Sequence, residues 1–227
     1  LTYGSHSDGL RVSIATDVGG IVKKSIHLVM GFALAGALHQ AVAQPADLDA
    51  KASNIAVTVC SACHGPGGEN TNPMFPNLAA QQAEYIENQL KAFRAHKRSE
   101  PDAQHFMWGP SSRVIDEQLI SAMARYYASQ PAPKGVPGDP ALVAKGKKLF
   151  QQGSTAHQIP PCASCHGPDA KGNGAFARLA GQHKEYLLKQ LGLIQSAIRE
   201  APVMHGIVEH LDSDDMQALA TYLQSLD

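Results

Sequence analysis

Large aromatic side chains are scarce in this chain: one tryptophan, six tyrosines and six phenylalanines in 227 residues. A domain cut from such a sequence buries a thin core unless something else supplies apolar volume. An excess of charge of one sign is missing as well, since 19 basic residues face 20 acidic ones; that removes the basic footprint on which nucleic-acid binding rests. No stretch alternates apolar and polar residues as a half-buried strand requires. Nor does the main apolar run, residues 26–38, reach the roughly 20 residues of a membrane-spanning helix, because His39 and Gln40 stop it. Cysteine is limited to four, and the arrangement of those four is the chief signal in the chain.

They occur as Cys60-Ser61-Ala62-Cys63-His64 and Cys162-Ala163-Ser164-Cys165-His166. Positions i, i+3 and i+4 share one face of a helical turn. Two thiols on that face can add across the vinyl groups of a haem as thioethers, while the imidazole beside them reaches the iron. Zinc knuckles separate their Cys-x-x-Cys pairs by about 15–20 residues, whereas these pairs lie in different halves of the chain. A thioredoxin-like dithiol needs no following His and sits among strands. Disulfides between i and i+3 would be strained and would leave the repeated His without a purpose. The reading that remains is two covalently bound haem c groups, with Cys60, Cys63, Cys162 and Cys165 as attachment points and His64 and His166 as iron ligands.

The front of the chain reads as a removable leader. Val22-Lys23-Lys24 forms a basic start, residues 26–38 an apolar core, and Ala41-Val42-Ala43 a small-residue cleavage site, so processing is expected before Gln44. Residues 1–21 have no Met and no clear periodicity, and the expectation is that translation starts at Val22 from a non-standard codon. Export follows, and with it a periplasmic location in which every cysteine is used by haem and none is needed for disulfides. Without Arg11, Lys23, Lys24, Asp8 and Asp17 the remaining chain is weakly acidic.

The two halves repeat each other. Cys63-His64-Gly65-Pro66 answers Cys165-His166-Gly167-Pro168. Phe75-Pro76-Asn77-Leu78-Ala79-Ala80-Gln81 answers Phe176-Ala177-Arg178-Leu179-Ala180-Gly181-Gln182, and Glu84-Tyr85 and Gln89-Leu90 answer Glu185-Tyr186 and Gln190-Leu191. Between them, residues 129–140 are dense in Pro and Gly and read as an extended connector. The expected division is residues 1–43 as extension and leader, 44–136 as the first haem domain and 137–227 as the second. Helical stripes run through each half: Ala52, Ile55, Ala56 and Val59, then Leu142, Gly146, Leu149 and Phe150, each ahead of its motif. A middle helix holds Ile86, Leu90 and Phe93 or Leu187, Leu191, Ile194 and Ile198. A last helix holds Leu119, Met123, Tyr126 and Tyr127 or Met216, Leu219, Ala220 and Leu223, with Asp116 and either Asp212 or Ser213 as N-caps. The fold is therefore expected to be all-α, with haem completing each core.

A six-coordinate iron needs a second axial ligand. Met107 and Met204, in the loops before each last helix, are the candidates of choice; Met107 stands one residue further from its helix than Met204. Met123 and Met216 lie within helical stripes and read as core. Met74 is too close to His64 to reach the opposite side of the ring easily, and His105 and His205 are the alternatives that would give bis-His iron of lower potential. Irons closed on both sides offer no position for a substrate, which leaves electron transfer. Lys91, Arg94, Lys97 and Arg98 put positive charge at the end of a helix, either as a docking patch for an acidic partner or as a solvated helix end. His157 falls in a loop that only the second half has and reads as surface.

With both Cys-x-x-Cys-His-Gly motifs, the two Phe-centred segments and the Met loops ahead of helices containing Tyr126 and Tyr222, the chain resembles the diheme cytochrome c4 family of bacterial periplasmic electron carriers from Pro45 to Asp227. The resemblance implies two tandem class I cytochrome c domains, each wrapped around one haem whose iron is held by His64 and Met107 or by His166 and Met204. It implies redox protein partners, with delivery from a quinol-oxidising complex to a terminal oxidase, and neither catalysis nor a small-molecule substrate. Peripheral association with a membrane surface stays open. Ala177 stands where the family segment usually has Pro, and Ala80 where it usually has Gly. Two rival readings are a diheme subunit of a periplasmic dehydrogenase, as in flavocytochrome sulfide dehydrogenases, and a diheme peroxidase-type enzyme with one open iron.

Overall fold

The computed structural model describes residues 45–114 and 116–227. The expected leader, its cleavage site before Gln44, the upstream residues 1–21 and Ile115 lie outside the described residues. Regular structure among the described residues is helical, and the bridges Ser154 with Ile159 and Asn173 with Phe176 are isolated.

In the first half, helix α1 (Pro45–Ile55) widens into a π-helical turn over Ala56–Cys60 and continues as α2 (Ser61–His64). Thr58 Oγ1 donates to Asn54 O at 2.7 Å and Ser61 Oγ to Val57 O at 2.5 Å; such bonds to the carbonyl four residues back draw it outward and bend a helix. The predicted stripe is present, with Ala52 and Ala56 buried. Helix α3 (Ala83–Arg94) buries Ile86 and Phe93. A second π-helical turn, Ala103–Met107, leads into α4 (Trp108–Ser111). Helix α5 (Glu117–Ala128) packs against both α1 and α3. Its N-cap is Asp116, whose carboxylate accepts from Leu119 N at 2.6 Å.

The second half delivers the same parts differently. Helix α6 (Pro140–Gln152) opens on Asp139, which caps Ala141 N and Leu142 N, with Pro140 at the position where proline loses nothing. A loop closed by the Ser154–Ile159 bridge then intervenes before α7 (Ala163–His166). Helices α8 (Lys184–Gln195), α9 (Pro202–Val208) and α10 (Ser213–Gln224) follow. Asp212 rather than Ser213 is the cap of α10, accepting from Asp215 N at 2.7 Å. Helices α6 and α10 approach so closely that a Cβ on Gly146 would lie 2.1 Å from Ala218 O, so that position in the stripe admits only glycine.

The two cores differ in content. The second is built from Leu149, Phe150, Leu187, Ile194, Leu211, Leu219 and Leu223 among others. The first relies on Ala52, Ala56, Ala122 and Ala124 beside Leu119, Ile120 and Met123. Met123 and Met216 are buried within them, as their stripes predicted. Of the expected connector, residues 131–139 lack regular structure and are pinned, while 129–130 close the end of α5 and Pro140 opens α6: Val136 N donates to Gln224 O at 2.9 Å and Gly135 N to the Asp227 carboxylate at 2.8 Å.

Across the seam between the halves, two glutamines act as surrogate backbone. Gln81 Oε1 accepts from Arg178 N at 2.6 Å while its Nε2 donates to Arg178 O at 2.9 Å. Gln182 does the same to Asn77, accepting from its N and donating to its O, both at 2.9 Å. Both glutamines are buried, so each exchange satisfies groups that water cannot reach.

Candidate functional site

The helical turn that carries each motif ends at a glycine in a left-handed conformation, Gly65 (φ 75°) and Gly167 (φ 80°). A Cβ at Gly65 would lie 1.9 Å from Glu69 O, so the reversal after the first His depends on glycine. The chain then returns to hold the imidazole. His64 Nδ1 lies 2.9 Å from Pro76 O, and His166 Nδ1 lies 2.9 Å from Ala177 O. A carbonyl can only accept, so Nδ1 carries the proton and Nε2 keeps its lone pair for a metal. Because the acceptor is a backbone oxygen, Ala177 does this work as well as the proline of the first half. Both rings are buried, and burial holds both imidazoles below their ordinary value, only partly opposed by the carbonyl partner. Phe75 stands edge-on to His64 with centroids 6.2 Å apart, and Phe176 to His166 at 6.3 Å.

Two of the four thiols are held away from the thiolate form. Burial pushes the Cys60 thiol above its ordinary value and the Cys162 thiol up to about 11, whereas a reactive or metal-binding cysteine needs its thiolate accessible. No cluster of His, Cys, Asp and Glu among the described residues has metal-binding geometry.

In the first half Cys60, Cys63 and His64 line a cleft of about 1310 Å³, part of it open to solvent, whose walls include Val59, Ile86, Leu90, Phe93 and Val114. Met107 lines the same cleft, and so does Met74, although Met74 is 53 % exposed. His105 is exposed against Phe106 and is not part of the wall. In the second half Cys162 and Met204 both pack against the core with Leu179 and Leu191. The ring of His205 is tied to α8, its Nδ1 2.9 Å from Ile194 O. The donor set fits haem: thiols positioned for thioethers, a neutral imidazole with a free nitrogen and apolar walls. Arg98 lines the cleft with a buried Nε that has no protein partner, a donor suited to a carboxylate substituent of the ring.

A family model, Cytochrome c, matches residues 50–130 and again 143–227. The cytochrome c4 of Stutzerimonas stutzeri is 33 % identical over 90 % of this chain and 99 % of its own. Cytochrome c-552 of Acidithiobacillus ferridurans is 38 % identical over 82 % of each. The solved cytochrome c4 of Acidithiobacillus ferrooxidans superposes with a TM-score of 0.68 at 38 % identity, covering 74 % of this chain and 98 % of that one. The chain belongs to the diheme cytochrome c4 family. It is an all-α electron-transfer cytochrome of two tandem cytochrome c domains, with one covalent haem c for each Cys-x-x-Cys-His.

The structure corrects one reading of this cytochrome. The basic run at the end of α3 is not a free patch: Lys91 Nζ lies 2.7 Å and Arg94 Nη2 2.6 Å from the Glu117 carboxylate, and Arg98 is buried. His157 is exposed, as expected for a loop residue. Periodicity did not reveal the seam residues Gln81, Gln182, Arg98 and Arg199. Their signal was the repeat itself, in which each pair recurs at one spacing.

Proposed function

We propose that each iron is closed by one His and one Met, His64 with Met107 and His166 with Met204, so that the protein carries electrons without binding a substrate. When bound, haem supplies a one-electron couple; the protein holds it, orients the imidazole and keeps water from the metal. The observation that carries the reading is the first cleft, lined by one histidine, His64, and by Met107, with His105 outside it. Met204 packs against the second core, whereas His205 Nε2 lies 3.9 Å from the Glu209 carboxylate, which favours Met204 in the second half. Met74, half exposed at the cleft mouth, is the weaker thioether.

The domain division at residues 44–136 and 137–227, processing before Gln44 and a periplasmic location belong to the same proposal. Among the described residues no helix is long and apolar enough to cross a membrane. The partners are redox proteins, with a quinol-oxidising complex as donor and a terminal oxidase as acceptor. A second reading, the electron-accepting partner of a dehydrogenase, is favoured by a relative in Thiomonas intermedia named thiosulfate dehydrogenase electron acceptor, 31 % identical over 72 % of this chain. A spectroscopic redox titration of the matured protein tests the ligand set: two low-spin haems, both with the ferric methionine–iron charge-transfer band, are expected. One band-less iron would favour an enzyme with an open site. Co-purification with a dehydrogenase in fixed ratio would favour the second reading.

A further inference from the structure

The residue after each distal methionine is a ring that bears an N–H: Met107-Trp108-Gly109 in the first half, Met204-His205-Gly206 in the second. Upstream the halves correspond at a spacing of 101, as in Arg98 with Arg199 and Pro101 with Pro202; at the methionines the spacing is 97. The register slips by four, yet both rings make the same kind of bond. Trp108 Nε1 donates to Arg98 O at 2.9 Å, and His205 Nδ1 lies 2.9 Å from Ile194 O. A carbonyl only accepts, so His205 carries its proton on Nδ1; its Nε2 faces the Glu209 carboxylate at 3.9 Å. One acceptor lies in the last turn of α8, where carbonyls lack a full set of helical partners, and the other in the turn that follows α3.

Both acceptors are fixed points. Each middle helix ends on a left-handed residue at the same register, His96 (φ 55°) and Ala197 (φ 57°). Beyond it Arg98 is held by its own buried guanidinium, which donates to Gln89 Oε1 at 3.0 Å, to Gln190 Oε1 of the other half at 3.3 Å and to the carboxylate of Glu100, itself 1 % exposed. The His96 ring then lies flat on Trp108, with centroids 3.9 Å and planes 10° apart. Ala197 offers no such cover. The shorter segment of the second half is pinned at its far end instead, where Gln195 Nε2 donates to Val208 O at 2.9 Å and to Leu211 O at 2.8 Å.

Neighbouring Cα atoms are 3.8 Å apart, so a ring fixed at 108 or 205 fixes the thioether beside it. A small external ligand reaches the metal only when that segment swings away, and the swing breaks the bond from the ring. We infer that Trp108 and His205 are positioning residues that keep the distal methionines in place and external ligands out. The inference rests on the His and Met ligand set proposed above. Affinity for an external ligand scales with the fraction of open segment, which one ordinary hydrogen bond changes about two- to tenfold.

The test titrates imidazole into the full-length ferric diheme protein and follows loss of the methionine–iron band. Trp108→Phe and His205→Leu should each release about half of the band at an imidazole concentration about two- to tenfold below that needed for the wild type. The double variant should release all of it there. His205→Asn, whose amide nitrogen takes the place of Nδ1 and still donates, should stay within about twofold of the wild type; lost packing alone would not give that rescue. Wild-type affinity in either Trp108→Phe or His205→Leu, movement of the same half of the band in both, or His205→Asn behaving like His205→Leu would overturn the inference. If Trp108→Phe fails to mature with two haems, the two His205 variants decide it. A wild type without the band would remove the ligand assignment and this inference with it, whereas a band present with unmoved affinities would remove the inference alone.

Discussion

The first half brings its Cys-x-x-Cys-His to the haem at the end of an almost continuous helical rise, whereas the second brings the same motif out of a bridged loop. The distal sides differ as well. Nine positions separate Arg98 from Met107, but five separate Arg199 from Met204, and the extra length is taken up in the π-helical turn Ala103–Met107. What both halves keep is narrower: a carbonyl on each His Nδ1, a left-handed turn after each motif, a cap on each last helix and a glutamine crossing to the other half. The comparison separates the geometry that a haem site demands from the path the chain takes to reach it.

The largest effect should come from removing the covalent anchor in one half at a time. Cys60→Ala with Cys63→Ala leaves an alanine-rich core without its largest apolar component, at a cost of about 5 kcal/mol or more, comparable with the whole stability of a small domain. The first half should then lose its cooperative unfolding transition. Cys162→Ala with Cys165→Ala should leave a weakened but detectable transition, because Phe150, Leu149, Leu187 and Leu219 remain packed. Mass spectrometry reports the haem count and calorimetry the transitions. Equal losses in the two variants would show that the difference in core content carries no energetic weight.

The methionines come next. Met107→Ala and Met204→Ala should each remove about half of the ferric methionine–iron band and lower one potential, since thioether ligation raises it. Met74→Ala should leave the band intact. A Met107→Ala protein with the full band and a Met74→Ala protein without it would reverse the assignment in the first half alone.

The seam offers a sharper comparison. Gln81→Ala and Gln182→Ala each strand one buried N–H and one buried carbonyl on the facing half, at about 2–6 kcal/mol by the usual 1–3 per group. Because the two exchanges have matching geometry, the costs should agree within about 0.5 kcal/mol, the usual scatter for independent sites. Denaturant unfolding gives the cost, and hydrogen exchange at Arg178 N and Asn77 N should speed up selectively in the corresponding variant.

Much of this was legible because it is written in residue type. Cys and His at i, i+3 and i+4, aspartates ahead of apolar stripes, and methionines inside those stripes each have one cheap structural explanation. That a backbone carbonyl must accept from each His Nδ1 follows from the ligand role, but which carbonyl, Pro76 or Ala177, was not legible, because a backbone acceptor leaves no trace in side-chain identity. Arg98 was misread for a related reason: a basic residue at a helix end is usually solvated, and only its correspondence with Arg199 hinted at a shared buried role. The repeat revealed that Gln81 and Gln182 recur, but a tandem alignment does not say that each reaches into the other half. Glu100 has no counterpart, so no pattern could mark it; its burial and its neighbour Arg98 are visible only once the halves are brought together.

The smallest prediction turns on one backbone conformation that the halves satisfy with different residues. Ala80 and Gly181 both have positive φ, 55° and 70°, and their amides donate to equivalent carbonyls, Ala80 N to Tyr127 O at 2.9 Å and Gly181 N to Leu223 O at 3.0 Å. An alanine there bears a left-handed penalty of roughly 1–2 kcal/mol, and glycine escapes it at the expense of a more flexible unfolded chain. Ala80→Gly should therefore stabilise the first half by about 0.5–1 kcal/mol, a rise of a few degrees in its midpoint. Gly181→Ala should cost more than that gain, because its Cβ would meet Pro133 O at 3.1 Å and Leu226 O at 3.3 Å as well as the strained φ. If Ala80→Gly instead destabilised, the alanine methyl would have to be making a packing contact worth more than the strain. The two halves would then differ at this turn in packing as well as in backbone strain.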